Sequence, residues 1–260
     1  MNALERLLDE KLVIIARGIP AKQLVKCCEA LLEGGVSCLE STFDHTLPDP
    51  IADNVAKLRA VRAALGDKIC LGVGTALTVE EVRAAHEAGA EYVLSPNTDL
   101  DVIRETKKLG MFSIPGAMTP SEICAAWKAG ADIVKLFPAD DVGFHYIQNL
   151  KGPLPHIPLM ATGGVNPNTI PQFLSAGISA CGTGITVLKK NFIANYIFSV
   201  KISIPLENTG VSSVFATSVW PFSLIFSLAR RNEGNFFQAV PTTLSSSLAD
   251  VRLASLVAWA

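Results

Sequence analysis

Lys135 is the residue whose setting most invites chemistry. It lies inside DIVKLFP (132–138), a mostly apolar run of the kind that forms a buried strand. A charged amine placed there is strongly disfavoured unless it is paired or neutralised. Desolvation lowers an amine's pKa and frees its lone pair for attack on a carbonyl carbon. The plainer reading is a lysine whose stem packs in the wall while its head reaches solvent or a carboxylate. Glu40 has the same character. It falls in SCLEST (37–42) and reads either as a general acid/base or as the ion-pair partner of Lys135 or Arg17. Glycine-rich turns form a second group: Gly163 and Gly164 in ATGGVNP (161–167), and Gly184 in CGTGI (181–185). Their backbone N–H groups suit an oxyanion such as phosphate, although tight strand-to-helix turns use the same residues. GVGT (72–75) likewise offers amides and the Thr75 hydroxyl to a carboxylate.

The histidines carry less. His45 follows Asp44 in FDHT and could reach a substrate or sit in a solvated loop, while His86, His145 and His156 read as helix or surface residues. No His/Asp/Glu spacing describes a metal cage, so no metal is expected. The six cysteines lack CxxC spacing and read as small buried residues of a reduced, cytosolic protein.

These residues need elements to hold them. Eight short β-rich runs punctuate the first 190 residues: 12–17, 37–42, 69–75, 91–96, 111–115, 132–138, 157–162 and 178–184. Helical patterns fill the gaps, such as TVEEVRAAHEA (78–88), where Thr78 and Glu81 make a capping box. Ser121 and Asn166 are expected to cap later helices, with Pro20 and Pro167 in first turns. Gly35, Gly89, Gly130 and Gly177 each precede a strand and predict left-handed helix ends. Eight strands that each lead into a helix imply parallel pairing, and the closed solution is a compact (β/α)8 TIM barrel. A doubly wound sheet is the alternative, but ARGIPAK (16–22) is no GxGxxG turn. In a barrel the strand ends bearing Arg17, Glu40, Thr75, Pro96, Lys135, Phe137, Gly163, Gly164 and Gly184 collect at one mouth.

Taken together, IIARGI, CLESTFDHT, GVGTALT, YVLSPN, SIPGAMTPSE, IVKLFPAD and ATGGVNP resemble the 2-keto-3-deoxy-6-phosphogluconate/4-hydroxy-2-oxoglutarate aldolase family. The segments occur in family order over about residues 5–194. The resemblance implies a class I aldolase on a (β/α)8 barrel, often trimeric, needing no metal or other cofactor. It further implies that Lys135 forms the Schiff base and Glu40 is the acid/base. Arg17 and Thr75 would hold the keto-acid carboxylate, Pro96 and Phe137 would line the pocket, and Gly163, Gly164 and Gly184 would receive a phosphate. The implied partners are small keto acids and aldehydes in the cytoplasm. Two departures stand out. Asp44 occupies a position where some members place a phosphate-binding arginine, so its carboxylate is expected to point elsewhere. Ile185 occupies a position where a serine often donates to the phosphate. Other phosphate-handling barrels (isomerases or synthases) and a non-catalytic anion-binding barrel are the competing readings.

Overall charge excludes one function class. The net charge of −2 and the lack of a basic stripe argue against nucleic-acid binding. The opening MNALERLLDEK is an amphipathic helix and not a secretory leader. Composition then breaks near residue 190: the last 70 residues hold seven of the 46 charged side chains and two of the 19 glycines. We therefore expect a barrel over 1–194 and an atypical tail of unknown structure over 195–260, either aberrant (a changed reading frame or an extension) or poorly ordered, with a genuine second domain as a lesser reading. A chain ending at residue 194 is expected to keep folding and activity. The uncharged stretch 208–229 is long enough to cross a bilayer, but Pro221 and its Ser/Thr content make it a poor span.

Overall fold

The computed structural model describes residues 1–184 and four later strands, 214–218, 224–231, 237–244 and 251–253. The chain divides into two compact units, Met1–Ala194 and Asn195–Ala260. In the first, α1 (Ala3–Glu10) leads into β1 (Leu12–Ala16), α2 (Ala21–Glu33), β2 (Cys38–Thr42), α3 (Pro50–Leu65), β3 (Cys70–Gly74), α4 (Val79–Glu87), β4 (Tyr92–Leu94) and α5 (Leu100–Lys108). There follow β5 (Phe112–Ile114), β6 (Gly116–Ala117), α6 (Pro120–Lys128), β7 (Val134–Leu136), α7 (Ala139–Lys151), β8 (Leu159–Thr162), α8 (Ile170–Ser175) and β9 (Ala180–Gly184).

These nine strands are parallel, in the order β5-β4-β3-β2-β1-β9-β8-β7-β6. β5 and β6 are two halves of one barrel strand, parted at Pro115, which has no N–H to donate. The first half pairs with β4 and the second with β7, and Lys135 N donates to Pro115 O at 2.8 Å across the seam. The eight expected strands are thus all present, and the sheet closes on itself through the split one.

The pleat decides what enters the barrel. Alternate residues share a face, so Val13, Ile15 and Arg17 follow one another up β1, as do Cys38 and Glu40 on β2 and Met160 and Thr162 on β8. The lower layer is apolar. Val13, Cys38, Cys70, Tyr92, Leu94, Ile114, Ile133, Met160 and Ala180 pack together there, and Ala3 and Leu7 of α1 join the same cluster. Residues between these face outward: Ser41 Oγ donates to Asn54 Oδ1 at 2.6 Å, and Asn54 Nδ2 returns a bond to Ser41 O, tying α3 to β2. The layer above is the polar one, holding Glu40, Lys135 and Thr162.

Local signals were met with some displacement. Thr78 and Glu81 form their capping box. The cap of α6 is Thr119 with Glu122, and Ser121 lies inside the helix, because Pro120 takes the first helical position. Thr169 caps α8, and Asn166 makes the preceding turn by accepting from Asn168 N and Thr169 N. Pro20 is the cap of α2 itself, and Pro167 sits in the turn before α8. Gly35, Gly89, Gly130 and Gly177 all have positive φ, as helix ends of this kind require. All six cysteines are free, with Cys27 and Cys124 only half-buried and the other four buried.

The second unit contains a four-stranded antiparallel sheet, β10 (Val214–Ser218), β11 (Leu224–Arg231), β12 (Phe237–Leu244) and β13 (Val251–Leu253), in that spatial order. Most of 195–260, and with it the expectation of an aberrant terminus, lies outside the described residues. Among the described residues no helix is long and apolar enough to cross a membrane.

Candidate active site

A cavity of about 410 Å³ opens at the C-terminal ends of the strands, lined by Ile15, Arg17, Glu40, Thr75, Pro96, Lys135, Phe137, Thr162 and Gly184. Seven of the nine residues read from the sequence are among them. Gly163 and Gly164 are not. They follow Thr162 directly, with φ of 99° and 63°, and a Cβ on Gly164 would meet Asp140 Cβ at 2.3 Å. The turn is therefore packed against the start of α7, which is reason enough for glycine there.

Lys135 and Glu40 are buried, at 6% and 2% exposure. Burial pulls the Lys135 amine below its ordinary pKa; the Glu40 charge opposes that fall and the Arg17 charge adds to it. Burial pushes the Glu40 carboxyl up, against the pull of Lys135 and Arg17. Both shifts favour uncharged forms. Among the described residues no carboxylate lies within 4.0 Å of Lys135 Nζ, and Glu40 Oε2 is buried without a hydrogen-bond partner. The sequence left open a static ion pair between the two, and the geometry does not provide one. Phe137, two residues beyond Lys135 on the same face, places its ring centroid 4.8 Å from Nζ.

Arg17 Nη2 donates to Thr75 Oγ1 at 3.1 Å, which fixes the guanidinium at the mouth. Thr75 has φ of 60°, a left-handed conformation that a β-branched residue adopts only under local strain. The strained residue is thus the one that turns its hydroxyl toward Arg17, the guanidinium that lines the cavity among the described residues.

Asp44 accepts from Thr46 N at 3.1 Å and from Thr46 Oγ1 at 2.6 Å, bonds that hold its carboxyl below the ordinary range. It is folded onto its own loop, as its unfavourable charge suggested. His45 Nε2 lies 2.6 Å from Glu81 Oε1 and does not line the cavity. Sequence reading passed over Ile15 and gave Thr162 no role. The signal for both was the pleat, since Ile15 precedes Arg17 by two residues and Thr162 follows Met160 by two. Thr162 Oγ1 is buried without a partner. Among the described residues no group of His, Cys, Asp and Glu could hold a metal ion.

Comparison with known proteins places this arrangement in context. A family model described as KDPG and KHG aldolase matches residues 5–199. A 2-dehydro-3-deoxy-6-phosphogalactonate aldolase from Escherichia coli is 33% identical over 66% of this chain and 82% of its own length. A 2-dehydro-3-deoxy-phosphogluconate aldolase from Treponema pallidum is 32% identical over 70% and 82%. A solved structure described as "Native KDPGal structure" superposes with a TM-score of 0.64, at 29% identity over 73% of this chain and 93% of its own.

Proposed function

The chain belongs to the KDPG and KHG aldolase family, whose members are class I aldolases, and from that premise we propose which bond it breaks and which side chains act. The substrate is a 2-keto-3-deoxy-6-phospho sugar acid, or the shorter 4-hydroxy-2-oxoglutarate. Lys135 Nζ adds to the C2 carbonyl, and loss of water leaves a protonated imine. Glu40 takes the proton of the C4 hydroxyl, directly or through a water. The C3–C4 bond then breaks, its electrons pass into the imine to give an enamine, and an aldehyde leaves. That aldehyde is glyceraldehyde 3-phosphate from the long substrate and glyoxylate from the short one. Protonation at C3 and hydrolysis release pyruvate and return the Lys135 amine.

One observation carries the reading. A desolvated lysine without an ion pair and a buried, unpartnered carboxylate share a single cavity. Nucleophilic addition needs the uncharged amine, and burial shifts the Lys135 equilibrium toward it. Arg17 and Thr75 serve the substrate carboxylate, while Pro96 and Phe137 confine its carbon chain. By the family resemblance the phosphate falls to the backbone N–H groups of Gly184, which lines the cavity, and of Gly163 and Gly164, which follow the lining residue Thr162 in the chain. The two relatives named above act on epimers at C4, and Asp44 and Ile185 remove two groups that some family members use for phosphate. Substrate length and C4 configuration are therefore to be measured together. Pyruvate release is followed with both six-carbon epimers and the short hydroxy-keto acid, in wild type and in Lys135→Arg. Turnover of at least one by wild type, and of none by the variant, is the expected result. The same proposal includes the homotrimer and the cytoplasmic location that the family resemblance implies, the former tested by light scattering of purified protein.

A further inference from the structure

The glycines of GVGT were read as donors of backbone amides to an anion, and the packing gives Gly74 another role. Gly74 lies on β3 beside Thr42, two residues beyond the partner of Glu40, Gly72. Residues two apart share a face, so Gly74 lies diagonally above Glu40 toward the mouth. A Cβ built on Gly74 would stand 1.5 Å from Glu40 Oε1, 2.3 Å from Cδ and 2.7 Å from Cγ. Its backbone is not left-handed, so glycine is not there for conformational freedom. The missing side chain is the space that the Glu40 carboxylate fills. Glu40 Oε2 is buried and accepts no hydrogen bond, so packing places this carboxylate where bonding does not.

We infer that Gly74 is a positioning residue, the seat that holds the Glu40 carboxylate in its working place within the cavity. This rests on the reading of Glu40 as the acid/base. The clash falls on the far end of a flexible side chain beside an open cavity. A methyl at position 74 therefore displaces the carboxylate more readily than it disrupts the strand. Gly72 is a contrast: a Cβ there would meet the ring of Tyr92 at 2.1 Å, a rigid body with nowhere to go.

The experiment is a double-mutant cycle on the full chain. Gly74→Ala is expected to fold, to keep forming a borohydride-reducible pyruvate adduct on Lys135, and to lose about 100-fold in kcat with little change in KM, as a misplaced catalytic group does. Glu40→Asp withdraws the carboxylate by one methylene, so Gly74→Ala should lower kcat less in that background than in wild type. Equal losses in the two backgrounds, or a wild-type kcat in Gly74→Ala, overturn the inference. If Gly74→Ala alone fails to accumulate folded, Glu40→Ala/Gly74→Ala must fold as well as Glu40→Ala, since the clashing carboxylate is gone. Failure of that pair shows that strand β3 needs glycine for another reason and also overturns it. No adduct on Lys135 in folded wild type removes the aldolase reading and this one with it. An adduct in wild type alongside full activity in Gly74→Ala removes this one alone.

Discussion

Lys135 and Glu40 are both buried side chains that line one cavity, and they form no ion pair. An ion pair at such depth would hold the amine protonated and the carboxylate charged. Its absence leaves each group free for a proton or a carbonyl carbon. The two come from strands far apart in sequence, and the barrel brings them to one mouth because both stand directly above the apolar lower layer, Glu40 over Cys38 and Lys135 over Ile133.

Lys135→Arg keeps a positive charge and removes the nucleophile. Imine formation is lost, and retro-aldol turnover is expected to fall by at least about 1,000-fold. Steady-state pyruvate release checks it; turnover near wild type would assign Lys135 a merely electrostatic role.

The buried amine also has a signature in stability. The folded-state pKa of Lys135 lies below the ordinary 10.5. Between that folded value and 10.5 the unfolded chain binds a proton that the folded one does not, so stability rises with pH across the window. Lys135→Met lacks this dependence and the desolvation penalty behind it. Near neutral pH the variant should melt higher than wild type, by about 2–4 °C for each 1 kcal/mol relieved, and the gap should narrow as pH approaches 10.5. Glu40 runs in the opposite sense, since its raised pKa makes stability fall as pH climbs above 4.5. Melting curves of Lys135→Met and Glu40→Gln beside wild type across pH check both senses, and a gap that does not change with pH would contradict them.

Glu40→Gln preserves shape and removes the proton acceptor. A loss of about 10²–10⁴-fold in kcat is expected, with the pyruvate adduct on Lys135 still formed. An undiminished kcat would move the acid/base elsewhere in the cavity.

Much of this was legible in sequence because strands and their inward faces follow period two, a local property. Arg17, Glu40, Thr75, Pro96, Lys135, Phe137 and Gly184 could be placed at one mouth from strand ends alone. What local pattern could not show was packing between neighbouring strands. Gly74 resembled an anion-binding glycine, and only the position of Glu40 beside it reveals what fills its empty space. Gly163 and Gly164 face the start of α7, a contact set by tertiary packing. The split at Pro115 follows from one missing N–H and could have been read in advance; the shift of the α6 cap from Ser121 to Thr119 follows likewise from Pro120.

Tyr92 supports the layer beneath the site, where its hydroxyl donates to Leu39 O at 2.7 Å, fully buried. Tyr92→Phe removes the donor and leaves a buried carbonyl short of a partner, so about 1–2 kcal/mol of stability should be lost. Denaturant unfolding measures it, and an unchanged midpoint would show that the bond adds nothing.

At the mouth, Thr75→Ala takes away the acceptor that holds Arg17. KM should rise about tenfold, equivalent to about 1.4 kcal/mol of lost binding, while kcat changes less. The reverse pattern, a lower kcat at constant KM, would place Thr75 in the chemical step.

The central claim is the covalent one, and trapping tests it most directly. The full chain is incubated with pyruvate, reduced with borohydride, digested, and the added mass located by peptide mass spectrometry. The account predicts a single reduced adduct on Lys135, absent in Lys135→Arg. Folded protein without an adduct, or with one on another lysine, would contradict it.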